Sequence, residues 1–115
     1  MESKELAAAI QKWMEDKNAQ DIKVIDIQNM TPLADYMIVC SGNSERQVKA
    51  IADNIEYEAD KLDVYPKSVE GNHGARWILM DYIDVIVHVF HQEERSFYDL
   101  ERLWKNSLRP SQEEN

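Results

Sequence analysis

The sequence predicts an α/β domain of the α+β kind, with a single central mixed β-sheet flanked by helices, and three stretches carry that prediction. Between Arg76 and Phe90, the apolar runs Arg76 to Met80 and Asp84 to Phe90 are separated only by Asp81-Tyr82-Ile83, the pattern of an antiparallel hairpin. From Val48 to Leu62, apolar residues recur at helical spacing on one stripe. Upstream, an amphipathic helix precedes two short apolar runs joined by a Pro-containing turn. The resulting order is helix, strand, strand, helix, short strand, strand, strand, helix, and a mixed sheet with helices packed on it buries their apolar faces in one layer arrangement.

Each element has its own warrant. Leu6, Ile10, Trp13 and Met14 place an amphipathic helix over about residues 3 to 17, closed by Asn18-Ala19-Gln20. Asp21 to Gln28 alternates Ile22 and Val24 against Lys23, Ile25 and Ile27, giving a first strand. Pro32 cannot donate to a ladder, so Asn29 to Leu33 turns the chain into a second, antiparallel strand, Tyr36 to Cys40. Ser41-Gly42-Asn43-Ser44 leads into the second helix, with Asn43 or Ser44 as N-cap and Gln47 as the capping-box partner of Ser44. Asp63-Val64-Tyr65-Pro66 ends that helix, and Lys67-Ser68-Val69 adds a short edge strand before the turn Glu70 to Gly74.

In the hairpin, Trp77 and Leu79 face away from Arg76, Ile78 and Met80, while Val85, Val87 and Val89 oppose Asp84, Ile86, His88 and Phe90. Both faces of the second run are apolar, which predicts an interior strand. Trp77, beside a charged connection, reads either as core or as a contact surface. A last helix over about Glu93 to Trp104 stacks Phe97, Leu100 and Trp104, so residues 1–105 form the domain and 106–115 a polar, disordered tail.

Composition narrows the function. The 115 residues, 43% hydrophobic and 30% charged, describe one soluble domain. No apolar run approaches the roughly 20 residues of a membrane span, and Met1-Glu2-Ser3-Lys4-Glu5 lacks the order of a signal peptide, so a cytoplasmic protein is expected. Cys40, the single cysteine, ends an apolar strand and reads as a small core side chain in a reducing compartment. With 22 acidic against 13 basic residues the net charge is −9, which disfavours direct nucleic-acid binding, since that draws its affinity from Lys and Arg on phosphates. An acidic surface suits a basic protein partner, although from charge alone solubility is the stronger reading.

No catalytic constellation is complete. The Ser41 to Ser44 loop resembles a phosphate-binding strand-to-helix junction, as in nucleotidyltransferases, but no strand carries the Asp-x-Asp or Asp-x-Glu pair needed for two-metal phosphoryl transfer. His88 and His91, with Glu70, His73 and Asp84, have no spacing that fixes a third metal ligand, and Ser41 lacks a Gly-x-Ser-x-Gly elbow. Neither a metal nor another cofactor is expected, and the chain is not read as an enzyme.

Several blocks, in order, carry a family resemblance: Asp35 to Ser44, Arg46-Gln47-Val48, Ala52-Asp53, Glu70-Gly71, Trp77, Asp81, Asp84 to Phe90, Glu94-Arg95 and Tyr98 to Trp104. Together they resemble the ribosomal silencing factor family, also called Iojap or RsfS, over about Leu6 to Trp104. The resemblance implies a nucleotidyltransferase-like fold without the catalytic carboxylates. It also implies binding to the fourteenth protein of the large ribosomal subunit, on the face that meets the small subunit, which blocks subunit joining and represses translation when nutrients are scarce. Carried over position by position, it makes Trp77 an aromatic anchor, with Glu70, Asp81, Tyr82 and Asp84 as surrounding contacts and His88 as a weaker member; for Asp81 and Asp84, hairpin capping is the competing reading.

One position departs from the family, which commonly has Gly before the Asp-Val-Ile-Val-His run; this chain has Ile83. A β-branched residue is disfavoured at positive φ, so a turn of another type or greater length is expected. A second function class is a self-associating acidic adaptor, and a homodimer of the free protein fits either reading.

Overall fold

The computed structural model describes residues 1–71 and 74–95. Helix α1, Ser3–Glu15, buries Leu6, Ala7, Ile10 and Met14, the stripe that its spacing of three and four dictates, with Trp13 partly buried beside it. Strand β1, Gln20–Asp26, runs antiparallel to β2, Tyr36–Gly42, and the register slips between Gln20 and Lys23, where Asp21 takes φ 51°. That bulge bends an edge strand whose Val24 stays 40% exposed.

Helix α2, Glu45–Asp60, starts at Ser44, whose Oγ accepts the Gln47 N–H at 3.1 Å. The capping box differs from the expected one. Gln47 Oε1 accepts the N–H of Asn43 at 2.7 Å, one residue before the cap, while its Nε2 donates to the Lys17 and Asn18 carbonyls and so ties the helix start to the end of α1. Val48, Ile51, Ala52, Ile55 and Ala59 are buried as predicted, but Leu62 is 50% exposed. The helix stops at Asp60, the chain reverses with Asp63 at φ 59°, and Val64 packs on the core instead.

Strands β3, Ser68–Glu70, β4, Trp77–Asp81, and β5, Val85–His91, complete a five-stranded sheet ordered β1-β2-β5-β4-β3. All neighbours are antiparallel except β2 and β5, which run parallel from Tyr36 beside Val85 to Gly42 beside His91. The parallel pair needs a crossover, and α2 supplies it on the same face as α1. Both helices therefore cover one side of the sheet, over Ile38, Cys40, Ile78, Met80, Val85, Val87 and Val89. On the other side, Met37, Val39, Ile86 and Phe90 form a second cluster with Ile27 and Ala34, edged by Ile25, Trp77 and Leu79. β5 lies in the interior of the sheet, buried at every position, as its two apolar faces predicted.

The hairpin turn is not lengthened. The Tyr82 carbonyl accepts the Asp84 N–H at 2.9 Å across Ile83, which takes φ 76° in spite of its branched side chain, so the turn is a strained three-residue γ-turn. Tyr82 N–H donates to the Val85 carbonyl, and Asp81 Oδ1 accepts the Ile83 N–H at 2.7 Å, which together over-determine the strained residue. Helix α3 is Gln92–Arg95; the rest of the predicted last helix and the 106–115 tail lie outside the described residues, as does His73.

Candidate functional site

Alternation along β4 places Trp77, Leu79 and Asp81 on the face of the sheet away from α1 and α2. Register then sets the neighbours of Trp77. Phe90 of β5 lies directly opposite, and the two rings stack at 4.8 Å between centroids with planes 29° apart. His88, one step diagonal and fully buried, accepts the Trp77 Nε1–H on Nδ1 at 3.0 Å. A ring held by a stack and a hydrogen bond has little rotamer freedom left to lose, so what Trp77 contacts meets a preformed surface.

That hydrogen bond also fixes the protonation of His88. Nδ1 can accept only in the neutral imidazole, and burial pushes the His88 pKa down to about 3 from 6.5, so the neutral form persists at physiological pH.

On the other flank of Trp77, Glu70 of β3 pairs with Leu79 and shares its face. Gly71 follows at φ 80°, and a Cβ there would collide with the Trp77 carbonyl oxygen, so the glycine lets the chain cross against β4. Glu70, Gly71, Trp77 and Leu79 line a shallow, mainly apolar pocket of about 250 Å³. That is below the roughly 300 to 1,000 Å³ of small-molecule sites and suits a single inserted side chain.

The residues predicted for the site therefore divide. Glu70 and Trp77 come together at the pocket, and His88, fully buried, holds the Trp77 indole from beneath. Asp81 and Asp84 flank the hairpin turn, about 13 Å further along the strand. Asp81 caps the turn, as the competing reading held, and Asp84 is exposed, its carbonyl accepting from the Asp35 and Tyr36 N–H groups. Tyr82 departs from the expectation: it is 6% exposed and packed in the helix-side core, because it has the parity of Ile78 and Met80. Leu79 and Gly71 line the pocket although sequence reasoning did not select them. Leu79 shared the face of Trp77 in the alternation, whereas the role of Gly71 depends on a strand crossing that no local pattern reveals. Among the described residues no group of His, Cys, Asp and Glu is arranged to hold a metal ion, and no helix is long and apolar enough to cross a membrane.

Comparison with known proteins agrees with this architecture. A crystal structure of a Chromobacterium violaceum protein superposes with a TM-score of 0.85 at 36% identity, covering 90% of this chain and 87% of that one. One from Bacillus halodurans gives 0.81 at 38% identity, covering 89% and 95%. In sequence, the ribosomal silencing factor RsfS of Bacillus subtilis is 49% identical over 78% of this chain and 76% of its own length. The chloroplastic protein Iojap of Arabidopsis thaliana is 31% identical over 93% of this chain but only 44% of its own length. The family described as "Ribosomal silencing factor during starvation" matches residues 1–115, and with these relatives it establishes that the chain belongs to the RsfS family of ribosome-linked translation regulators.

Proposed function

We propose that the protein binds the large ribosomal subunit through its fourteenth protein, at the face that meets the small subunit, and represses translation under nutrient limitation by keeping the subunits apart. Trp77 is the anchor, with Glu70 at its pocket and Asp81 and Asp84 along the same hairpin as acidic contacts; His88 holds the anchor in place. The observation that carries this reading is the half-buried Trp77 ring fixed over Phe90 beside a pocket sized for one side chain. An aromatic residue in such a setting is the usual energetic centre of a protein interface. A net charge of −9 supports a basic partner, because complementary potentials steer encounter and reject like-charged competitors. The mechanism is steric and requires neither catalysis nor cofactor, and its setting is the cytoplasm.

Co-sedimentation with purified large subunits, small subunits and joined ribosomes at low and moderate salt tests the proposal. Binding is expected to free large subunits alone, weakening with salt, and Trp77→Ala should lower it about 30-fold, the scale of a hot-spot residue. Asp81→Lys with Asp84→Lys should weaken it further. Binding to no ribosomal particle would overturn the proposal, and concentration-dependent self-association in its place would identify an adaptor.

A further inference from the structure

The sheet face opposite α1 and α2 is sealed along its middle and open at its sides. On the central strands β2 and β5, Met37, Val39, Ser41, His88 and Phe90 are at most 1% exposed and Ile86 is 5% exposed. On the flanking strands, Ile25 of β1 and Trp77 and Leu79 of β4 share that face but are only partly buried. A side chain standing up from a sheet is closed off only where a second layer lies over it. The sealed footprint is two strands wide, about 10 Å at the usual strand spacing, which is the width of a single helix.

The described residues supply only part of that layer. Ile27 and Ala34, from the loop between β1 and β2, join the cluster, and the Ile27 N–H donates to the Asp35 carbonyl at 2.9 Å, so they cover its Tyr36 end. Among the described residues no other hydrophobic side chain from outside the sheet belongs to the cluster. Trp77, His88 and Phe90 nevertheless each take part in an interaction besides the ring contacts and the hydrogen bond that join them to one another. The burial is that of one chain, so the remaining cover belongs to this chain. Residues 72–73, pinned between Gly71 and Gly74, are too short a stretch to span two strands. The other stretch, 96–115, continues from α3, which starts directly after His91 at the Phe90 end of the sealed face. In it, Phe97, Leu100 and Trp104 recur at spacings of three and four. The nine residues from Ser96 to Trp104 reach about 14 Å as a helix, and the face from Phe90 back to Ile86 measures about 13 Å.

We propose that the segment Phe97 to Trp104 docks as one amphipathic helix along β2 and β5 of its own chain, with Phe97, Leu100 and Trp104 against Val39, Ile86 and Phe90, and acts as a strap that positions the Trp77 indole. The chemistry of the two surfaces matches. The segment offers apolar and aromatic groups to an apolar and aromatic floor, while Asp99 and Arg102 fall on the opposite side of the same helical spacing. One helix laid over the central strands also leaves the two margins that are observed, Ile25 on one side and Trp77 with Leu79 on the other. Trp77 then has Phe90 and His88 against it, the strap along one edge and the Glu70 pocket along the other. This contact does not depend on the ribosomal reading, and it makes the segment part of whatever surface Trp77 presents.

The test is methyl NMR on the isotope-labelled full chain. Nuclear Overhauser contacts are expected from the Val39 and Ile86 methyls to the aromatic protons of Phe97 and Trp104 and to the Leu100 methyls, and they should be absent between chains in a mixture of labelled and unlabelled protein. In Leu100→Asp the β2 and β5 amides and the Trp77 Nε1–H should exchange at least about tenfold faster, the equivalent of one buried leucine side chain. Arg102→Gln, an equal change in charge on the opposite side of the segment, should leave exchange unchanged. Contacts of Val39 and Ile86 with described residues alone, contacts to 97–104 found only between chains, or unchanged exchange in Leu100→Asp would each overturn the proposal. The wild-type contacts decide the question even where Leu100→Asp does not fold. None of these measurements involves a ribosomal particle, so failure here and failure of the ribosomal proposal are distinguishable.

Discussion

His88 makes the stability of this fold sensitive to mild acid, and the size of the effect follows from its burial. The imidazole is fully buried in the interior strand β5, and its pKa is pushed from 6.5 to about 3. In the unfolded chain it titrates near 6.5, so between those values the unfolded state binds the extra proton. Stability is therefore complete above about pH 6.5 and is lost as pH falls toward 3. At 1.36 kcal/mol per unit, the His88 contribution lost is about 2 kcal/mol at pH 5 and about 3 kcal/mol at pH 4. Protonation also turns Nδ1 into a donor facing the Trp77 Nε1–H, so the acid form loses the bond that orients Trp77. The assay is urea unfolding at pH 7 and pH 5 of the wild type and of His88→Asn, whose amide oxygen can accept from Trp77 but does not titrate. His91 and the carboxylates are common to both proteins and cancel in the comparison. The wild type should lose about 2 kcal/mol more than the variant between the two pH values. Equal losses would show that His88 titrates normally in the native state, and the account of a dry, neutral imidazole under Trp77 would fail.

Other substitutions probe neighbouring elements. Trp77→Phe keeps a ring against Phe90 but leaves buried Nδ1 without its donor, and should cost about 1 to 3 kcal/mol in urea denaturation. Gly71→Ala forces a Cβ into the Trp77 carbonyl at positive φ; a loss of at least about 1 kcal/mol is expected, with weakened protection of the β3–β4 amides in hydrogen exchange. Ile83→Gly relieves a β-branched residue at φ 76°, where strain of about 1 to 3 kcal/mol is offset in part by glycine's greater unfolded-state entropy. The urea midpoint should rise, by up to about 1 kcal/mol in stability; a fall would mean that the 59% exposed Ile83 side chain itself holds the turn.

What could be read from the sequence was local. The β4–β5 hairpin, the buried stripe of α2 and the interior position of β5 each follow from a periodicity within one segment. The parallel pairing of β2 with β5 does not, since it joins residues about fifty positions apart through a crossover and leaves no trace in either strand's own pattern. Trp77 was ambiguous between core and contact because it is partly both, its ring stacked on Phe90 and its edge open to the pocket. The placement of Tyr82 was available but outweighed. Its parity matches Ile78 and Met80, and the alternation that put Trp77 on one face already put Tyr82 on the other. At Ile83 the turn is not longer and the positive φ is present, since the hydrogen bonds that Asp81 and Tyr82 accept across the turn hold it, and local strain was weighed without them.

The sheet's geometry also fits the proposed use of its face. In open α/β sheets, ligands gather at the carboxyl ends of the parallel strands, which here are Gly42 of β2 and His91 of β5. A phosphate at the loop after Gly42 would recruit backbone N–H groups there, but that of Asn43 is held by Gln47 Oε1 and that of Gln47 by Ser44 Oγ. A Cβ at Gly42 would already press on Val48 and Gln47, so little open space lies against that residue. The nearby cation, Arg76, is neutralised by Glu93 at 3.0 Å, Glu94 at 3.3 Å and Glu45 at 3.7 Å, leaving an excess of negative charge where a nucleotide would need positive. Among the described residues, the groups at the end of the sheet that related architectures use for chemistry are thus engaged with one another. What β4 and its neighbours present is an oriented indole beside a small apolar pocket on an acidic domain, the features on which the proposed recognition of a protein rests.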